Sequence, residues 1–227
     1  MKILMISIAT LCFSLNAFGA HHENGKGHGH EHKDGDAMMV KPELSEIVWT
    51  GEKKFVDSAH TGTIQLKSGQ IFFKEGQPAH GDFVIDMKTI TNVDLEDEEY
   101  KKKLEGHLNS DDFFAVEKFE EAKFTFDNVK ALGENQYALT GDLQIRDVTK
   151  KETIQATIEM NEDGTGFTAT ADAVIDRTKY GIEYNNESSD KSNDWFFVKW
   201  FKGGVAVAKD KIIKNDMNIS IKLVSEK

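Results

Sequence analysis

The sequence is poor in cysteine and proline and carries fewer basic than acidic residues. Its 227 residues include one cysteine, two prolines, 28 lysines and arginines, and 39 aspartates and glutamates. Because the cysteine, Cys12, lies in an N-terminal apolar run, the rest of the chain offers no thiol for a disulfide or for cysteine catalysis. The formal net charge of -11 would repel phosphate backbones, so we expect no nucleic-acid partner.

Residues 1–19 have the layout of a secretory signal peptide. In "MKILMISIATLCFSLNAFGA" a lysine precedes an apolar run, and small residues at Ala17 and Gly19 suit cleavage after Gly19. A lipoprotein signal would need a small residue before the cysteine, where Leu11 stands, and the run is short for a membrane anchor. We therefore predict export into the periplasm, with a mature chain that begins near Ala20.

Residues 20–44 lack apolar periodicity and are rich in glycine, histidine and acidic residues. Such a segment cannot bury enough apolar surface to offset the entropy of ordering, so we predict a disordered tail. The tail holds five of the eight histidines of the chain, namely His21, His22, His28, His30 and His32. A cluster of neutral imidazoles binds divalent transition metals such as zinc, copper or nickel; the alternative interpretation is a solvated linker.

Residues 45–227 consist mostly of short alternating segments. In "QYALTGDLQIRDVT" the apolar Tyr137, Leu139, Leu143 and Ile145 alternate with polar residues, which is typical of a strand with one wet face. "AKFTFDNV" precedes it across a turn at "LGEN", which predicts a hairpin. Comparable segments are "EIVWTGEKKF", "TGTIQL", "GQIFFKEG", "HGDFVIDM", "ETIQATIEM", "FTATADAVID" and "NISIKLV". Eight or nine antiparallel strands, with one short helix in "EDEEYKKKLEGHL", indicate an all-β barrel or sandwich.

Three separated blocks carry a family resemblance: "GHLNSDDFFAVEKFEEAKFTF", "LTGDLQIRDVTKKETI" and "IDRTKYGI". In this order they resemble the YceI-like family of secreted, lipocalin-like proteins, over about residues 45 to 225. Departures are modest, with Gln144 in place of the family's threonine, Asp147 in place of its glycine, and glutamate at Glu120 or Glu121 in place of its proline. The resemblance implies an extended antiparallel lipocalin-like β-barrel of about eight strands that holds a polyprenyl or quinone-like chain.

The barrel interior and its mouth are therefore the candidate ligand site. An eight-stranded barrel has just enough interior to fill with side chains or to hold one ligand. Small residues on one face of "FTATADAVID" leave room for a chain, whereas the alternative is close packing in which they accommodate neighbouring aromatic rings. The predicted ligand contacts are Trp49, His107, Phe113, Phe114, Phe124, Phe126, Tyr137, Phe167, Ala169, Ala171, Ala173, Arg177, Tyr180 and Trp195.

The segment "LEGHLNSDDFFAVEKF" has a catalytic and a structural interpretation. His107, Asp111 and Asp112 could form an acid–base set, but no Gly-x-Ser-x-Gly nucleophile elbow or paired metal-ligand motif accompanies them. In the structural interpretation, polar side chains around Ser110 end a helix and cap the next turn, and Phe113 and its neighbour enter the barrel mouth. We favour the structural corner.

Two other features lie at predicted strand ends. The cationic residues Arg146, Arg177 and Lys179 could bind a phosphate or quinone oxygen, but surface ion pairs with Asp142, Asp147 or Asp176 are the favoured interpretation. The aromatic segment "NDWFFVKWFKGGV", residues 193–205, is interpreted as a lid over the barrel mouth. Membrane contact, which would be transient, and ordinary core packing are its alternatives.

Together these observations predict a secreted, non-enzymatic barrel that sequesters or carries an isoprenoid-like lipid and requires no cofactor. The alternative is a metal-binding accessory protein in which the histidine tail is functional. A hydrolase of unknown type is a third, less favoured hypothesis.

Overall fold

Alternation of apolar and polar residues determines the fold of residues 36–187 and 211–226, the part of the chain that the structure, a computed structural model, describes. The strands are β1 (Asp36–Met39), β2 (Glu46–Lys53), β3 (Ala59–Lys74), β4 (Gln77–Asn92), β5 (Glu121–Gly133), β6 (Gln136–Ile145), β7 (Val148–Met160), β8 (Phe167–Asp176) and β9 (Ile213–Ser225). The helices are α1 (Glu98–Asn109) and two 3-10 helices, Pro42–Leu44 and Arg177–Tyr180.

Strands β2 to β9 close into an antiparallel barrel. Neighbours in the sheet follow the order β1-β3-β2-β9-β8-β7-β6-β5-β4, and β3 also pairs with β4, so that the ring of eight strands has no open edge. The predicted all-β, lipocalin-like barrel with one α-helix is confirmed. Closure matters for function because a closed barrel has an interior, and every second side chain of each strand faces it.

Strand β6 illustrates how the sequence pattern becomes a barrel wall. Its apolar residues Tyr137, Leu139, Leu143 and Ile145 are all buried, while Asp142 between them is exposed. The hairpin from β5 to β6 turns at residues 134–135, as the segment "LGEN" predicted. The alternating pattern therefore identified both this hairpin and the inward face of the strand.

The predicted segments "TGTIQL" and "GQIFFKEG" are one strand rather than two. Strand β3 runs through the polar stretch between them because β4 pairs with it over almost its whole length, with a register shift between Leu66 and Ser68. The β3–β4 hairpin turns at Glu75 and Gly76, whose φ angles of 53° and 76° match a tight turn with left-handed residues.

Residues 36–44 belong to the described fold and pack onto the barrel, so they are not part of a disordered tail as predicted. Strand β1 pairs with β3 from Asp36 opposite Phe73 to Met39 opposite Gln70. Val40 is buried, and its N–H donates to the Gly69 carbonyl at 2.8 Å. These backbone hydrogen bonds and the burial of Val40 order this segment. Its polar neighbours in the sequence are the reason that it was predicted to be disordered.

Helix α1 is held by a cap at its N-terminus and by a side-chain contact with β4. Asp97 caps its N-terminus by accepting hydrogen bonds from the backbone N–H groups of Glu99 and Tyr100. Glu105 ties the helix to β4, because its Oε1 accepts from Thr91 Oγ1 at 2.6 Å and from the Asn92 N–H at 2.9 Å. No helix within the described ranges has the length and hydropathy of a membrane span.

Candidate ligand-binding cavity

The barrel encloses an apolar cavity of about 230 Å³. All eight barrel strands contribute to its wall, and the corner after α1 adds two phenylalanines. The surface that the wall presents to the cavity is apolar. The larger wall side chains include Ile47, Trp49, Leu66, Ile71, Phe83, Met87, Phe113, Phe114, Phe124, Leu143, Met217 and Ile221. Such a space suits an apolar chain, because no charged group inside it would need a partner.

Small residues on two adjacent strands widen the cavity. Ala169, Ala171 and Ala173 of β8 all line it, and Ala156 of β7 lies directly opposite Ala171. Ala171 is only half-buried although its side chain faces inward, whereas Thr170 beside it is exposed on the outer face. The alanine face of β8 that the sequence analysis identified therefore borders the cavity as well as neighbouring side chains.

Aromatic side chains close the barrel below the cavity. Phe126, Tyr137 and Phe167 are at most 6% exposed, and none of them lines the cavity. Phe167 packs against Phe73 with 5.5 Å between ring centroids, and the Tyr137 hydroxyl donates to Gln77 Oε1 at 2.9 Å. Three of the predicted ligand contacts thus form the floor of the cavity instead of its wall, because they lie on the strands nearer the β3–β4, β5–β6 and β7–β8 turns.

At the other end the chain turns sharply after α1. Ser110 ends the helix by donating from Oγ to the His107 carbonyl at 2.7 Å, and the Phe113 N–H then donates to the Ser110 carbonyl at 3.1 Å. Phe113 and Phe114 are buried and line the cavity. The chain turns here and places both phenylalanines at the cavity, but the predicted capping of N–H groups differs: Ser110 Oγ donates to a carbonyl, and Asn109 Oδ1 has no partner among the described residues.

Of the three residues considered for catalysis, His107 and Asp112 lie close together, whereas Asp111 pairs elsewhere. Asp111 forms an ion pair with Lys118 at 2.7 Å, and Asp112 lies 3.5 Å from Nε2 of His107. The His107 ring packs edge-on against Phe113 and against Tyr184, with centroids 4.9 Å and 4.4 Å apart. His107 does not line the cavity. Its ring contacts Phe113 from outside the cavity, so His107 helps to hold Phe113 in place at the cavity mouth.

Arg177 lies at the same end and is 1% exposed. Its guanidinium donates to three backbone carbonyls, those of Lys214 at 3.1 Å, Ile182 at 2.8 Å and Ile213 at 3.3 Å. Desolvation lowers the pKa of Arg177. The predicted surface ion pair is wrong for this residue, because Asp176 instead caps the following turn through the Thr178 N–H. Arg177 joins the chain after β8 to the start of β9 and contributes to the cavity wall.

Arg146 likewise binds carbonyls rather than a carboxylate. Its NH1 group donates to the carbonyls of Phe113 and Gly181, each at 3.2 Å, and Asp142 pairs with Lys151 instead. The predicted ion pairs of Arg146 are therefore wrong as well. The contact holds the corner after α1 against the segment that follows β8.

Tyr180 is fully buried but lies outside the cavity wall. Its hydroxyl donates to Glu152 Oε1 at 3.1 Å, which connects the second 3-10 helix to β7. Burial, followed by the negative charge of Glu152, raises the pKa of the Tyr180 hydroxyl. Lys179 in the same turn lies 4.0 Å from the same carboxylate oxygen. Tyr180 therefore has a structural role in this part of the barrel.

Four polar residues border the cavity near the start of strand β9. Thr50, Lys214, Asp216 and Arg177 all border this end of the cavity, and Lys214 forms an ion pair with Glu52. The wall near Leu223 and Leu139 is apolar. Because the surface that faces the cavity is apolar throughout, these four residues border the cavity through their apolar atoms.

Several predicted residues lie outside the described ranges. These are Trp195 with the rest of the aromatic segment, and the five histidines His21, His22, His28, His30 and His32. Within residues 36–187 and 211–226, no group of histidine, cysteine, aspartate or glutamate side chains could hold a metal ion. The metal prediction for the tail therefore stays a prediction.

Comparison with protein families and curated proteins identifies relatives. A family model described as a YceI-like domain matches residues 39–224. A UPF0312 protein of Pseudomonas putida is 30% identical over 165 residues, which cover 66% of this chain and 80% of that protein. A UPF0312 protein of Photorhabdus laumondii is 39% identical over 95 residues, which cover 42% of this chain and 46% of that protein.

Solved structures share the fold at low sequence identity. Burkholderia cenocepacia BcnA matches with a TM-score of 0.58 and 19% identity, over 82% of this chain and 99% of that chain. A polyisoprenoid binding domain from Saccharophagus degradans, implicated in plant cell wall breakdown, matches with a TM-score of 0.58 and 14% identity, over 85% of this chain and 99% of that chain. At these identities the likeness establishes the fold.

Proposed function

The chain belongs to the YceI-like family, and from this premise we propose that it binds an isoprenoid-like lipid, such as a polyprenyl or quinone chain, inside its barrel. The observation that carries the proposal is the closed barrel with an apolar cavity lined by all eight strands. The Saccharophagus domain of the same fold, which is named for polyisoprenoid binding, adds support. Sequestration or carriage of a poorly soluble chain through water is the role that follows.

The energetics of such binding favour the tail of the ligand over its head. Each buried CH₂ group contributes about 0.8 kcal/mol, so a few isoprene units supply several kcal/mol of favourable transfer free energy. Lost translational freedom and ordering of side chains oppose this by about 4–15 kcal/mol. We therefore expect moderate affinity and tolerance of different chain lengths.

We propose that the protein binds without chemical conversion and acts outside the cytoplasm. The absence of turnover is supported by the engagement of His107 and Asp111 in packing and ion pairing at the corner. Export is supported by the sequence of residues 1–19 alone. Contact with the membrane, if the lipid is taken from or returned to it, would be transient.

Native mass spectrometry of the protein purified from its own cell envelope tests this proposal. The protein should carry a non-covalent mass that organic extraction removes and that fragments as an isoprenoid. A barrel that is always empty, and that also fails to take up added isoprenoid alcohols or quinones, would refute lipid binding. A stoichiometric metal without lipid would favour the metal-binding alternative.

A further inference from the structure

Strands β7 and β8 are neighbours in the barrel, but they pair along only part of their length. The ladder between them has five residue pairs and ends where Ala156 lies opposite Ala171. Both strands continue beyond this point, with residues 148–155 paired to β6 and residues 172–176 paired to β9. Within the described ranges, this stretch of the wall is therefore not joined by pairing between β7 and β8.

The unpaired stretch lies beside the cavity. Ile154 of β7 and Ala173 of β8 line the cavity, and they would be opposite each other if the ladder continued in the same register. Gln155, Asp172 and Val174 are exposed on the outer face. The wall is thus a single layer of two strands here, with the cavity on one side and the outer surface on the other.

A second ladder that ends early does not have this property. Strands β4 and β5 pair at residues 81–86 and 121–126, and their pairing ends toward the β3–β4 and β5–β6 turns. None of residues 77–80 or 127–130 lines the cavity, which the aromatic floor closes at this end. The β7–β8 stretch is therefore the one of the two that could connect the cavity with the outside.

An outer groove adjoins the cavity where the β7–β8 ladder ends. Gln155, Asp172 and Lys222 contribute to this groove, whose surface is partly polar and partly apolar. Four residues border both the groove and the cavity, namely Ala156, Thr170, Ala171 and Ile221. An amphiphile that entered here would keep its polar head in partly polar surroundings while its tail passed into the apolar cavity.

The barrel mouth is held closed by more hydrogen bonds. The corner after α1 places Phe113 and Phe114 at the cavity, and both are buried. At this end Arg146 donates two hydrogen bonds to backbone carbonyls, including that of Phe113, and Arg177 donates three. A lipid that entered through the mouth would have to displace this corner and break contacts of buried or partly buried groups, which is unfavourable.

Fewer described contacts cross the unpaired stretch. Tyr180, in the turn after β8, donates to Glu152 Oε1 at 3.1 Å, and Lys179 lies 4.0 Å from the same oxygen. Separating the two strands here breaks no rung of the β7–β8 ladder. Because segments with few hydrogen bonds open locally at a lower free-energy cost, β7 and β8 should separate here more readily than fully paired strands.

We propose that the lipid enters and leaves the cavity sideways, through a lateral portal between residues 152–155 of β7 and residues 172–175 of β8. The two strands separate there transiently, admit the apolar tail from the outer groove, and close over it. This inference rests on the proposed function, because it assigns a route to the same lipid. It predicts that the portal, and not the mouth, limits the rates of uptake and release.

Cross-linking the two strands tests the portal. Cys12 is the only cysteine of the chain and lies in the predicted signal peptide, so the mature chain offers no competing thiol. Gln155→Cys/Asp172→Cys places two exposed thiols beside the end of the ladder, where a disulfide or a short bis-maleimide linker joins them. Thr140→Cys/Thr153→Cys is the matched control, because these residues are partners in the β6–β7 ladder and their hydroxyls lie 2.8 Å apart.

Retinol serves as the probe, because it is an isoprenoid alcohol whose fluorescence increases in apolar surroundings. We expect cross-linked Gln155→Cys/Asp172→Cys to slow both uptake and release, measured by stopped flow, by at least about tenfold. The dissociation constant should change by less than about twofold, because the wall is closed both before and after entry. Reduction of the disulfide should restore both rates, and the cross-linked control should keep the wild-type rates.

Thr153→Cys/Val174→Cys, at two exposed positions further along the portal, repeats the test if the first variant folds poorly. If mass spectrometry shows complete cross-linking and both rates equal those of the protein before cross-linking, the portal is refuted and lipid binding stands. A loss of affinity without slower exchange would also refute the portal, because the cross-link would then distort a site and not close a route. If the wild-type protein binds neither retinol nor geranylgeraniol, both the portal and the proposed function are refuted.

Discussion

Gly62 lies directly opposite Trp49 across the β2–β3 pair, and the indole occupies the space that a side chain at position 62 would need. A Cβ atom on Gly62 would come within 2.4 Å of the Trp49 ring and within 1.9 Å of the Thr91 carbonyl oxygen. Because one of these neighbours is backbone in the closed barrel, it cannot move aside as a side-chain end could. The absence of a side chain at Gly62 therefore sets the position of Trp49 in the cavity wall.

Gly62→Ala should destabilise the protein and disturb the cavity. We expect the free energy of unfolding to fall by about 3 kcal/mol, the upper end of the overpacking range, because the new methyl group meets both the indole and a carbonyl. Urea denaturation measures this loss. Gly106→Ala is the matched control, since a Cβ there meets nothing within 4 Å and alanine favours the α1 helix. A neutral Gly62→Ala would contradict the packing described for Trp49.

Arg177→Lys should cost more stability than its conservative charge suggests. A lysine ammonium cannot reproduce the planar fork that reaches the carbonyls of Ile182 and Ile213 together. We expect a loss of about 2 kcal/mol or more in the free energy of unfolding. Lys179→Ala in the same 3-10 helix should cost less than about 0.5 kcal/mol, because its ion pair is partly exposed. Equal effects of the two substitutions would argue against a structural role for the guanidinium.

The attachment of α1 to β4 should depend on pH through Glu105. Burial alone would raise the pKa of Glu105, but the hydrogen bonds from Thr91 and Asn92 outweigh it and hold the pKa below its ordinary value of 4.5. Because the folded pKa is the lower one, the stabilisation is complete above the unfolded pKa and is lost as the pH falls through the folded value.

Glu105→Gln should therefore lower the free energy of unfolding by about 1 kcal/mol near neutral pH, and the deficit should shrink in acid. Urea titrations of both proteins at neutral and acidic pH measure this difference. Glu96→Gln, at an exposed position before α1, should have little effect at either pH. If the stability difference between Glu105→Gln and wild type were larger in acid than at neutral pH, the proposed role of Glu105 would be contradicted.

Two N-terminal deletions should separate the tail from the barrel. A mature chain without residues 21–35 should keep its thermal midpoint, whereas removal of residues 21–39 should lower it, because β1 and its pairing with β3 are lost. Both variants should lose zinc or copper uptake if the five tail histidines bind metal, as measured by equilibrium dialysis. An unchanged midpoint for the longer deletion would show that β1 contributes nothing to stability.

Alternation predicted much of the fold, because a two-residue period directly reports which side of a strand is buried. It identified the β5–β6 hairpin and the inward faces of β6 and β8. It missed β1, since four residues next to a polar tail carry too short a pattern. It also divided β3 in two, because the polar residues around Ser68 resemble a turn until β4 is seen to pair across them.

The candidate site was harder to predict than the fold. The sequence identified apolar residues that face inward, but whether a residue lines the cavity or the floor depends on its level along the barrel. Phe124 and Phe126 share a strand face, yet Phe124 lines the cavity and Phe126 lies in the floor. The partners of Arg146 and Arg177 were also unpredictable, since backbone carbonyls leave no signature in the side-chain pattern.

The central claim, that a lipid occupies the barrel cavity, is tested most directly by geranylgeraniol binding to Ala171→Phe and Thr170→Phe. Ala171 faces the cavity; Thr170 also borders it, but the Thr170 side chain is exposed on the outer face, so the same bulk is added on opposite sides of the wall. We predict that Ala171→Phe weakens binding by at least about tenfold while its denaturant midpoint stays close to that of the wild type, and that Thr170→Phe changes neither. Unchanged affinity in Ala171→Phe together with a lowered midpoint would contradict the account, because it would mean that the space beside Ala171 is packed protein and not a ligand site.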